Sequence, residues 1–308
     1  MTDAPVQASA TVLTVRQVEA YHAMTLVAPA VAERFRPGQF VALEVGGAHT
    51  SLLLRRCFSV YGVKSDYGGT VEFVFAERDA GSRWLAGLRS RDSVDLVGPL
   101  GRPFPLPRDP VTCVLVGWAH AAAALFSLAD ALRRRRCDVH FVLGATGPSE
   151  IFGARSARRV GASATVVAET SGYGLGDDDV DVTASVVDVL PQVIEQVQAD
   201  VVYACGPMTS LRSVTAIAAK YGLPAQVSTE AYLQDTGVCG TGLCMTCVLP
   251  VVGDDGVTRM VRVCADGPVL RGERVRWDDV GSVPFDALGA PRAVPVRHPS
   301  GDPLPEAL

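Results

Sequence analysis

Apolar and polar positions alternate in short runs through the first third of the chain, and Gly and Pro separate these runs. Alternation with a period of two is typical of strands that bury one face. Short strands with frequent turns favour a small antiparallel barrel. We therefore predict a β-barrel domain over residues 1–107, with strands at TVLTVRQVEA, AMTLVAPA, QFVALEVG, RCFSVYGV, TVEFVFAER and SVDLVGPLG.

From about residue 110 the pattern changes to continuous apolar runs that alternate with helical segments, from VTCVLVG to AQVSTE. Such alternation predicts an α/β domain with a parallel sheet, which we place at residues 108–228. A small cysteine-bearing module follows at 229–280. Residues 281–308 contain several prolines, few apolar residues and no periodicity, so we expect a loosely ordered tail.

Composition narrows the class of protein. The chain has 308 residues, 48% of them hydrophobic, and a net charge of -5, which gives no reason to expect nucleic acid as a partner. No apolar stretch reaches the roughly 20 residues that span a bilayer, and the first residues do not resemble a secretion signal. Four scattered cysteines show no pairing pattern, as in a reduced cytoplasmic protein: Cys57, Cys113, Cys137 and Cys205.

The most specific motif is a set of four further cysteines in the order C-x4-C-x2-C and then a fourth after sixteen residues: Cys239, Cys244, Cys247 and Cys264. This is the plant-type spacing for a [2Fe-2S] cluster. Gly240 and Gly242 allow the backbone to wrap closely around inorganic sulfide. Two alternatives are a structural zinc site and disulfides, but zinc usually takes two C-x2-C pairs, and the sequence contains one.

The order of a barrel, an α/β domain and a [2Fe-2S] module resembles the ferredoxin-reductase superfamily. Within it, the chain is most similar to the electron-transfer subunit of two-subunit dihydroorotate dehydrogenase, over about residues 10–275. The motifs that carry the resemblance are LLRRCFSV, VGPLGRPF, YACGPM, CGTGLCMTCVLPV and RVCADGPVL. The resemblance implies FAD in the barrel and an FMN-bearing catalytic subunit as partner.

The R-x-F-S-V strand is similar to the flavin-binding strand of this superfamily. A guanidinium can neutralise a pyrophosphate, an aromatic ring can pack on the flavin, and a hydroxyl can bond the flavin nitrogen edge. A later G-S pair begins a predicted helix, whose N–H groups can hold a phosphate. The predicted FAD-binding residues are Arg56, Phe58, Ser59, Val60, Gly81 and Ser82.

The expected nicotinamide site departs from the family pattern. Where the family has a glycine-rich turn, this chain reads VLVGWAHAAAALF, in which Gly117 remains but Trp118 and a run of alanines replace the other glycines. The turn after the next central strand keeps the family's C-G-P, at Cys205, Gly206 and Pro207. We therefore expect NAD(H) binding to be weak or differently posed, or the cleft to be capped by Trp118. We interpret His120 as a helix-start or surface histidine.

The leading functional hypothesis is an oxidoreductase subunit that carries FAD and [2Fe-2S] and serves a catalytic dihydroorotate dehydrogenase subunit in pyrimidine biosynthesis. The catalytic subunit is expected to dock in a hetero-oligomer against the loop from Gly240 to Met245. One alternative is a reductase subunit of a hydrogenase, sulfite reductase or oxygenase. The other is a non-catalytic interaction protein with a structural four-cysteine metal site.

Overall fold

The N-terminal part of the computed structural model, which describes residues 4–47, 50–170 and 180–290, is a closed antiparallel barrel with the strand order β1-β2-β5-β4-β3-β6. Its strands are β1 (Val6–Val18), β2 (Tyr21–Val27), β3 (Phe40–Leu43), β4 (Arg56–Lys64), β5 (Thr70–Phe75) and β6 (Ser93–Leu100). Two short helices join them, α1 (Pro29–Ala32) and α2 (Ala80–Ala86). All six predicted strands are present.

The barrel closes around apolar side chains that alternate along its strands. Met24, Leu43, Phe73 and Leu96 are fully buried in its core. The register shifts in several ladders, including the one between β4 and β5, where Val60 and Gly62 flank the irregularity. Such bulges increase the local twist and help a small sheet to curve into a barrel.

The second part is an α/β domain whose sheet has the strand order β10-β9-β8-β7-β11-β12-β15. The strands are β7 (Thr112–Trp118), β8 (Asp138–Ala145), β9 (Ser163–Ala168), β10 (Val182–Thr183), β11 (Val201–Cys205), β12 (Ala225–Ser228) and β15 (Val269–Arg271). The helices are α3 (Ala123–Arg134), α4 (Ala154–Val160), α5 (Val186–Val197) and α6 (Met208–Lys220). The pairings from β10 to β12 are parallel, as predicted.

Helices cover both faces of this sheet, so its central strands are apolar on both sides. Helices α3 and α4 pack on one face, and α5 and α6 pack on the other. The barrel rests directly against α3, where the rings of Tyr61 and Phe126 lie 5.4 Å apart. The hydroxyl of Tyr21 also donates a hydrogen bond of 2.6 Å to the carbonyl of Glu150. The two domains therefore meet along a packed interface.

The cysteine-bearing module lies between the two domains. It comprises α7 (Glu230–Thr236), β13 (Val248–Val252), β14 (Thr258–Arg262) and α8 (Val263–Asp266), and then β15, which pairs antiparallel with β12. The sequence did not predict that last pairing. Leu233 and Leu249 of the module share a core with Phe40 and Leu100 of the barrel. Each such buried side chain contributes about 1.5–3 kcal/mol, so the module is firmly seated.

The structure describes the first part of the predicted tail, residues 281–290. Ala287 is buried, and the N–H of Leu288 donates to the carbonyl of Thr258 at 2.8 Å. The remaining 291–308 lie outside the described residues. In the described part of the chain, no helix is long and apolar enough to cross a membrane. The predicted domain boundaries stay predictions.

Candidate electron-transfer site

The loop that carries the first three cysteines directs backbone N–H groups at a sulfur atom. Sγ of Cys239 accepts hydrogen bonds from Thr241, Leu243 and Cys244, at donor-to-sulfur distances of 3.4, 3.3 and 3.5 Å. Gly240 has a φ of 69° and Gly242 a φ of 87°, in the left-handed region that glycine adopts without strain. The loop therefore has the form that sulfur ligands of a cluster need.

The four thiols come from two segments of the module. Cys247 and Cys264 are buried, Cys239 is half-buried, and Cys244 is exposed. Burial raises the pKa of Cys239, but hydrogen bonds from the backbone of Cys244 and Thr241 outweigh it and lower the pKa to about 6. A hydrogen bond with Cys264 is the main cause that lowers the pKa of Cys247 to about 6. These two shifts favour the thiolate, which is the form that binds iron, whereas the hydrogen bond with Cys247 raises the pKa of Cys264.

The donor set fits a two-iron cluster. Among residues 4–47, 50–170 and 180–290, no three His, Cys, Asp or Glu side chains converge on one point as the ligands of a single metal ion do. A [2Fe-2S] cluster distributes its four cysteines over two irons and requires no such convergence. Cys239, Cys244, Cys247 and Cys264 are the residues that would hold it. Their individual assignment stays a prediction.

The predicted flavin strand lines a cavity of about 480 Å³ between the barrel and α7. Arg56, Phe58 and Ser82 contribute to its lining. The ring of Phe58 also stacks on Phe73 in the barrel core, at a centroid distance of 5.0 Å. Val60 is fully buried in that core, so its side chain does not line the cavity.

Asp79 organises the predicted phosphate end of this cavity. Its carboxylate caps α2 by accepting the N–H of Ser82 at 2.7 Å, and it accepts Nε of Arg56 at 2.6 Å. Burial raises the pKa of Asp79, but the bonds from Ser82 and Arg56 outweigh it and lower the pKa. Nη2 of Arg56 makes no hydrogen bond to the described residues, so it remains a donor for a phosphate. The amide of Ser82, by contrast, is already engaged.

Gly81 allows the helix to approach the flavin strand. A Cβ placed on it would lie 3.1 Å from Nε of Arg56 and 3.0 Å from a methyl of Val45. Contacts below 3.4 Å are tighter than nearly all real Cβ contacts. Glycine is therefore suited to this position by packing, whether or not its N–H meets a phosphate. The roles of Gly81 and Ser82 in flavin binding stay predictions.

Ser59 lies against a buried carboxylate that sequence reasoning did not identify. The N–H of Ser59 donates to Oε1 of Glu230 at 2.6 Å, and the Ser59 hydroxyl donates to Oε2 of the same residue. Gln234 donates a third hydrogen bond at 3.0 Å. Burial raises the pKa of Glu230 in spite of these bonds. The signal in the sequence was the acidic residue that ends the last predicted strand, AQVSTE.

Ser59 and Glu230 also line a second cavity of about 460 Å³, at the carboxyl ends of the central parallel strands. Gly117 and Cys205 lie side by side next to this cavity, because they pair at the ends of β7 and β11. Gly206 and Pro207 line the same cavity. The two halves of the predicted nicotinamide site are therefore adjacent, as expected from the parallel sheet.

Of the two interpretations of His120, the structure supports a helix-start position and not a surface position. His120 lies in the 3₁₀ turn Ala119–Ala122, which leads into α3, and its ring packs beside that of Tyr21 at a centroid distance of 5.1 Å and an interplanar angle of 45°. Burial and, secondarily, the positive charge of Arg78 lower its pKa to about 4. The histidine is therefore neutral at physiological pH and contributes no charge to the two cavities that it lines.

The cluster loop packs directly on the flavin strand. A Cβ placed on Gly240 would lie 3.5 Å from Sγ of Cys57, which lines the first cavity. Cys57 is buried, and burial raises its pKa to about 12, with Glu230 as a second cause. Residues 233–238 line the same cavity from the other side. The candidate cluster site and the candidate flavin site therefore share a wall.

Comparisons with known proteins agree with this geometry. Residues 238–276 match the family model described as the iron-sulfur cluster binding domain of dihydroorotate dehydrogenase B. The chain is 32% identical to the dihydroorotate dehydrogenase B (NAD(+)) electron transfer subunit of Geobacillus thermodenitrificans, over 86% of this chain and 96% of that protein. It is 31% identical to a probable subunit of the same name from Methanopyrus kandleri, over 84% of this chain and 87% of that one.

Solved structures show the same fold. The NADH-dependent reduced ferredoxin-NADP oxidoreductase, described for flavin-based electron bifurcation, superposes with a TM-score of 0.71 and 25% identity, over 88% of this chain and 91% of that one. The ferredoxin NADP+ reductase of Neisseria gonorrhoeae, solved with FAD and NADP, superposes with a TM-score of 0.56 and 18% identity, over 70% and 92% of the two chains. The predicted fold class is confirmed.

Proposed function

The chain belongs to the family of dihydroorotate dehydrogenase B electron transfer subunits, and we propose that it is an oxidoreductase subunit that carries FAD and one [2Fe-2S] cluster for a catalytic dihydroorotate dehydrogenase. In this role it moves electrons that the catalytic subunit, itself a flavoprotein with FMN, takes from dihydroorotate in pyrimidine biosynthesis. We place this activity in the cytoplasm, in keeping with eight cysteines of which none forms a disulfide in the described part of the chain.

The observation that carries the proposal is the wall shared by the two candidate sites. Cys57 lines the flavin cavity and shares a buried core with Cys247 and Cys264 of the cysteine-bearing module. When bound, FAD supplies two-electron exchange and the cluster supplies one-electron exchange. The residues that would hold the two groups line adjoining parts of the subunit.

Side chains of the two neighbouring cavities supply the binding and proton-holding functions. Arg56 offers Nη2 to a phosphate, and Asp79 fixes the orientation of its guanidinium. Glu230 is a buried carboxyl with a raised pKa, so it can hold a proton beside the hydroxyl of Ser59. A group of this kind can balance charge near a flavin without free access to water.

The partner surface is the exposed rim of the cluster loop. The side chains of Leu243 and Met245 are largely exposed, at 83% and 51%. Val238, next to Cys239, adds further exposed apolar area and lines the flavin cavity. Apolar side chains around a redox site favour a docked protein over water, because docking removes their surface from solvent.

The proposal is tested by purification from the native source under anaerobic conditions. We expect a flavin absorbance band, a reduced-cluster EPR signal and a co-purifying catalytic subunit that oxidises dihydroorotate. A colourless protein that contains zinc would contradict the proposal and favour a structural metal site. If a coloured protein co-purifies with a hydrogenase, sulfite reductase or oxygenase subunit, the proposed redox chemistry is correct and the proposed partner is wrong.

A further inference from the structure

We infer that Trp118 closes the dinucleotide cleft of this chain, so that the subunit exchanges electrons without hydride transfer to or from NAD(H) or NADP(H). The inference deepens the proposed function and rests on it, since it concerns which redox partner the flavin can meet. The curated relatives carry NAD(+) in their names. The residues of this chain do not fit that ligand.

The topology defines where a dinucleotide would bind. From β7 the chain continues to β8, β9 and β10 on one side of the sheet, whereas β11 and β12 lie on the other side. The crevice at the carboxyl ends of β7 and β11 is therefore the topological switch point, where open α/β sheets bind their ligands. Trp118 ends β7, and Gly206 follows β11.

The indole of Trp118 occupies the part of this crevice next to the C-G-P turn and forms one wall of the cavity of about 460 Å³ beside it. A Cβ placed on Gly206 would lie 2.5 Å from Cε3 and 3.0 Å from Cδ2 of the indole, so the ring rests on the C-G-P turn itself. Trp118 is only 7% exposed and belongs to the apolar core that α5 and α6 form with the sheet. A nicotinamide or diphosphate at this turn would have to displace a packed aromatic side chain.

At the start of the first helix of the domain, Ala119, His120 and Ala121 line the cavity, so a phosphate there would meet their side chains. Dinucleotide pyrophosphates normally lie on the exposed N-terminus of this helix. Here Ala122, Ala123 and Ala124 are almost completely buried, at 1%, 2% and 1%. Gly117 does not leave room for a ligand either, because a Cβ on it would lie 2.6 Å from Cβ of Ala122. Its lack of a side chain serves the contact between strand and helix.

The charges around the cavity also disfavour a diphosphate. Among its described lining residues, Arg78 is the one permanent cation, and it lies 3.6 Å from the carboxylate of Asp235. Glu230 is a second acidic group on the same wall. His120 is neutral, because burial and the charge of Arg78 lower its pKa to about 4. A pyrophosphate would therefore meet two carboxyl groups and one shared guanidinium.

The test uses the full-length subunit with FAD and cluster in place. The protein is mixed with NADH and, separately, with NADPH in an anaerobic stopped-flow instrument, and bleaching of the flavin band is followed. Equilibrium dialysis of both nucleotides against the same protein measures binding without reference to activity. We expect no bleaching on the time scale of catalysis and no retained nucleotide. Rapid bleaching or retained nucleotide in the unmodified protein would overturn the inference.

A variant assigns the closure to Trp118. Trp118→Gly, Ala119→Gly and Ala121→Gly together should increase the rate of flavin bleaching by NADH at least about tenfold, the change that relief of about 1.4 kcal/mol gives. Ala119 already has a φ of 47°, which glycine adopts without strain, so the backbone can tolerate the change. If the triple variant retains FAD and cluster but stays as inert as the unmodified protein, the assignment to Trp118 is wrong.

Two controls separate the possible failures. Trp118→Phe keeps an aromatic ring in the crevice and should stay closed, and it serves as the matched variant. Dithionite should bleach the flavin and reduce the cluster in every variant. A protein that dithionite cannot reduce lacks the cofactors, and then the proposed function fails. If both dithionite and NADH reduce the unmodified protein, the proposed function stands and the inference about Trp118 is wrong.

Discussion

Replacement of Arg56 gives the most direct test of the flavin site. In the structure Nε of Arg56 donates to Asp79 at 2.6 Å and Nη1 donates to the carbonyl of Leu54 at 2.8 Å. Nη2 is left for a ligand phosphate. Arg56→Ala removes this donor and also leaves the Asp79 carboxylate without its cation, beside the cavity in which the phosphates of FAD are expected.

The size of the effect follows from the lost contact. A hydrogen bond to a charged group contributes about 1.5–3 kcal/mol. The Arg56 side chain is 28% exposed, so solvent screens the contact only in part. Because about 1.4 kcal/mol changes an equilibrium constant tenfold, we expect the dissociation constant of FAD to rise roughly 10- to 100-fold.

The assay is FAD titration of the deflavinated protein, followed by flavin fluorescence. Arg16→Ala is the matched control, since Arg16 pairs with Glu72 at 2.7 Å in the same barrel and does not line the flavin cavity. Asp79→Asn supplies one acceptor oxygen where the carboxylate supplies two, so it can cap the helix or orient Arg56 but not both, and FAD affinity should fall by less than in Arg56→Ala. Unchanged FAD affinity in Arg56→Ala would show that the phosphates bind elsewhere.

Three further predictions follow from the same geometry. Cys264→Ala should abolish the reduced-cluster EPR signal and leave FAD bound. Cys137 is a buried cysteine of the α/β domain, so Cys137→Ala should keep both the EPR signal and FAD. A full EPR signal in Cys264→Ala would remove Cys264 from the predicted ligands. The folded protein binds a proton at His120 only near pH 4, whereas the unfolded chain binds it near pH 6.5. The free energy of unfolding should therefore fall as the pH drops between these values, by up to about 3 kcal/mol. His120→Gln should make the urea midpoint less dependent on pH over this range. Leu243→Asp with Met245→Asp should weaken the complex with the catalytic subunit at least about tenfold by calorimetry, since each buried apolar side chain is worth about 1.5–3 kcal/mol; unchanged affinity would place the interface elsewhere.

The elements that local patterns determine were predicted well. Alternation over RCFSVYGV gives β4, and the continuous apolar run VTCVLVG gives the buried strand β7. Both patterns depend on neighbours within a few residues, so the sequence displays them directly. The spacing of the first three cysteines likewise depends on a short loop. The family comparison confirms an iron-sulfur domain at residues 238–276.

Contacts between distant segments were not predictable in the same way. Ser59 and Glu230 are 171 residues apart, and their hydrogen bond depends on how the module seats against the barrel. The antiparallel pairing of β15 with β12 also joins the module to a sheet that the pattern assigned to another domain. The capping role of Asp79 could have been found, because it stands three residues before Ser82 at a predicted helix start.

Helix α7 and the residues after it connect the candidate flavin site to the candidate cluster site. We therefore expect variants of the predicted cluster ligands to differ in FAD content. The helix begins at Glu230, which holds Ser59 of the flavin strand, and its chain continues through residues 233–238, which line the flavin cavity, to Cys239. Cys264 lies on the separate helix α8, beyond the β-hairpin. Loss of the ligand at Cys264 therefore leaves the flavin wall intact, whereas Cys239→Ala releases the loop that continues this wall. The FAD content of Cys239→Ala should fall below that of Cys264→Ala, because an ordered cluster loop helps to hold the wall that encloses the flavin.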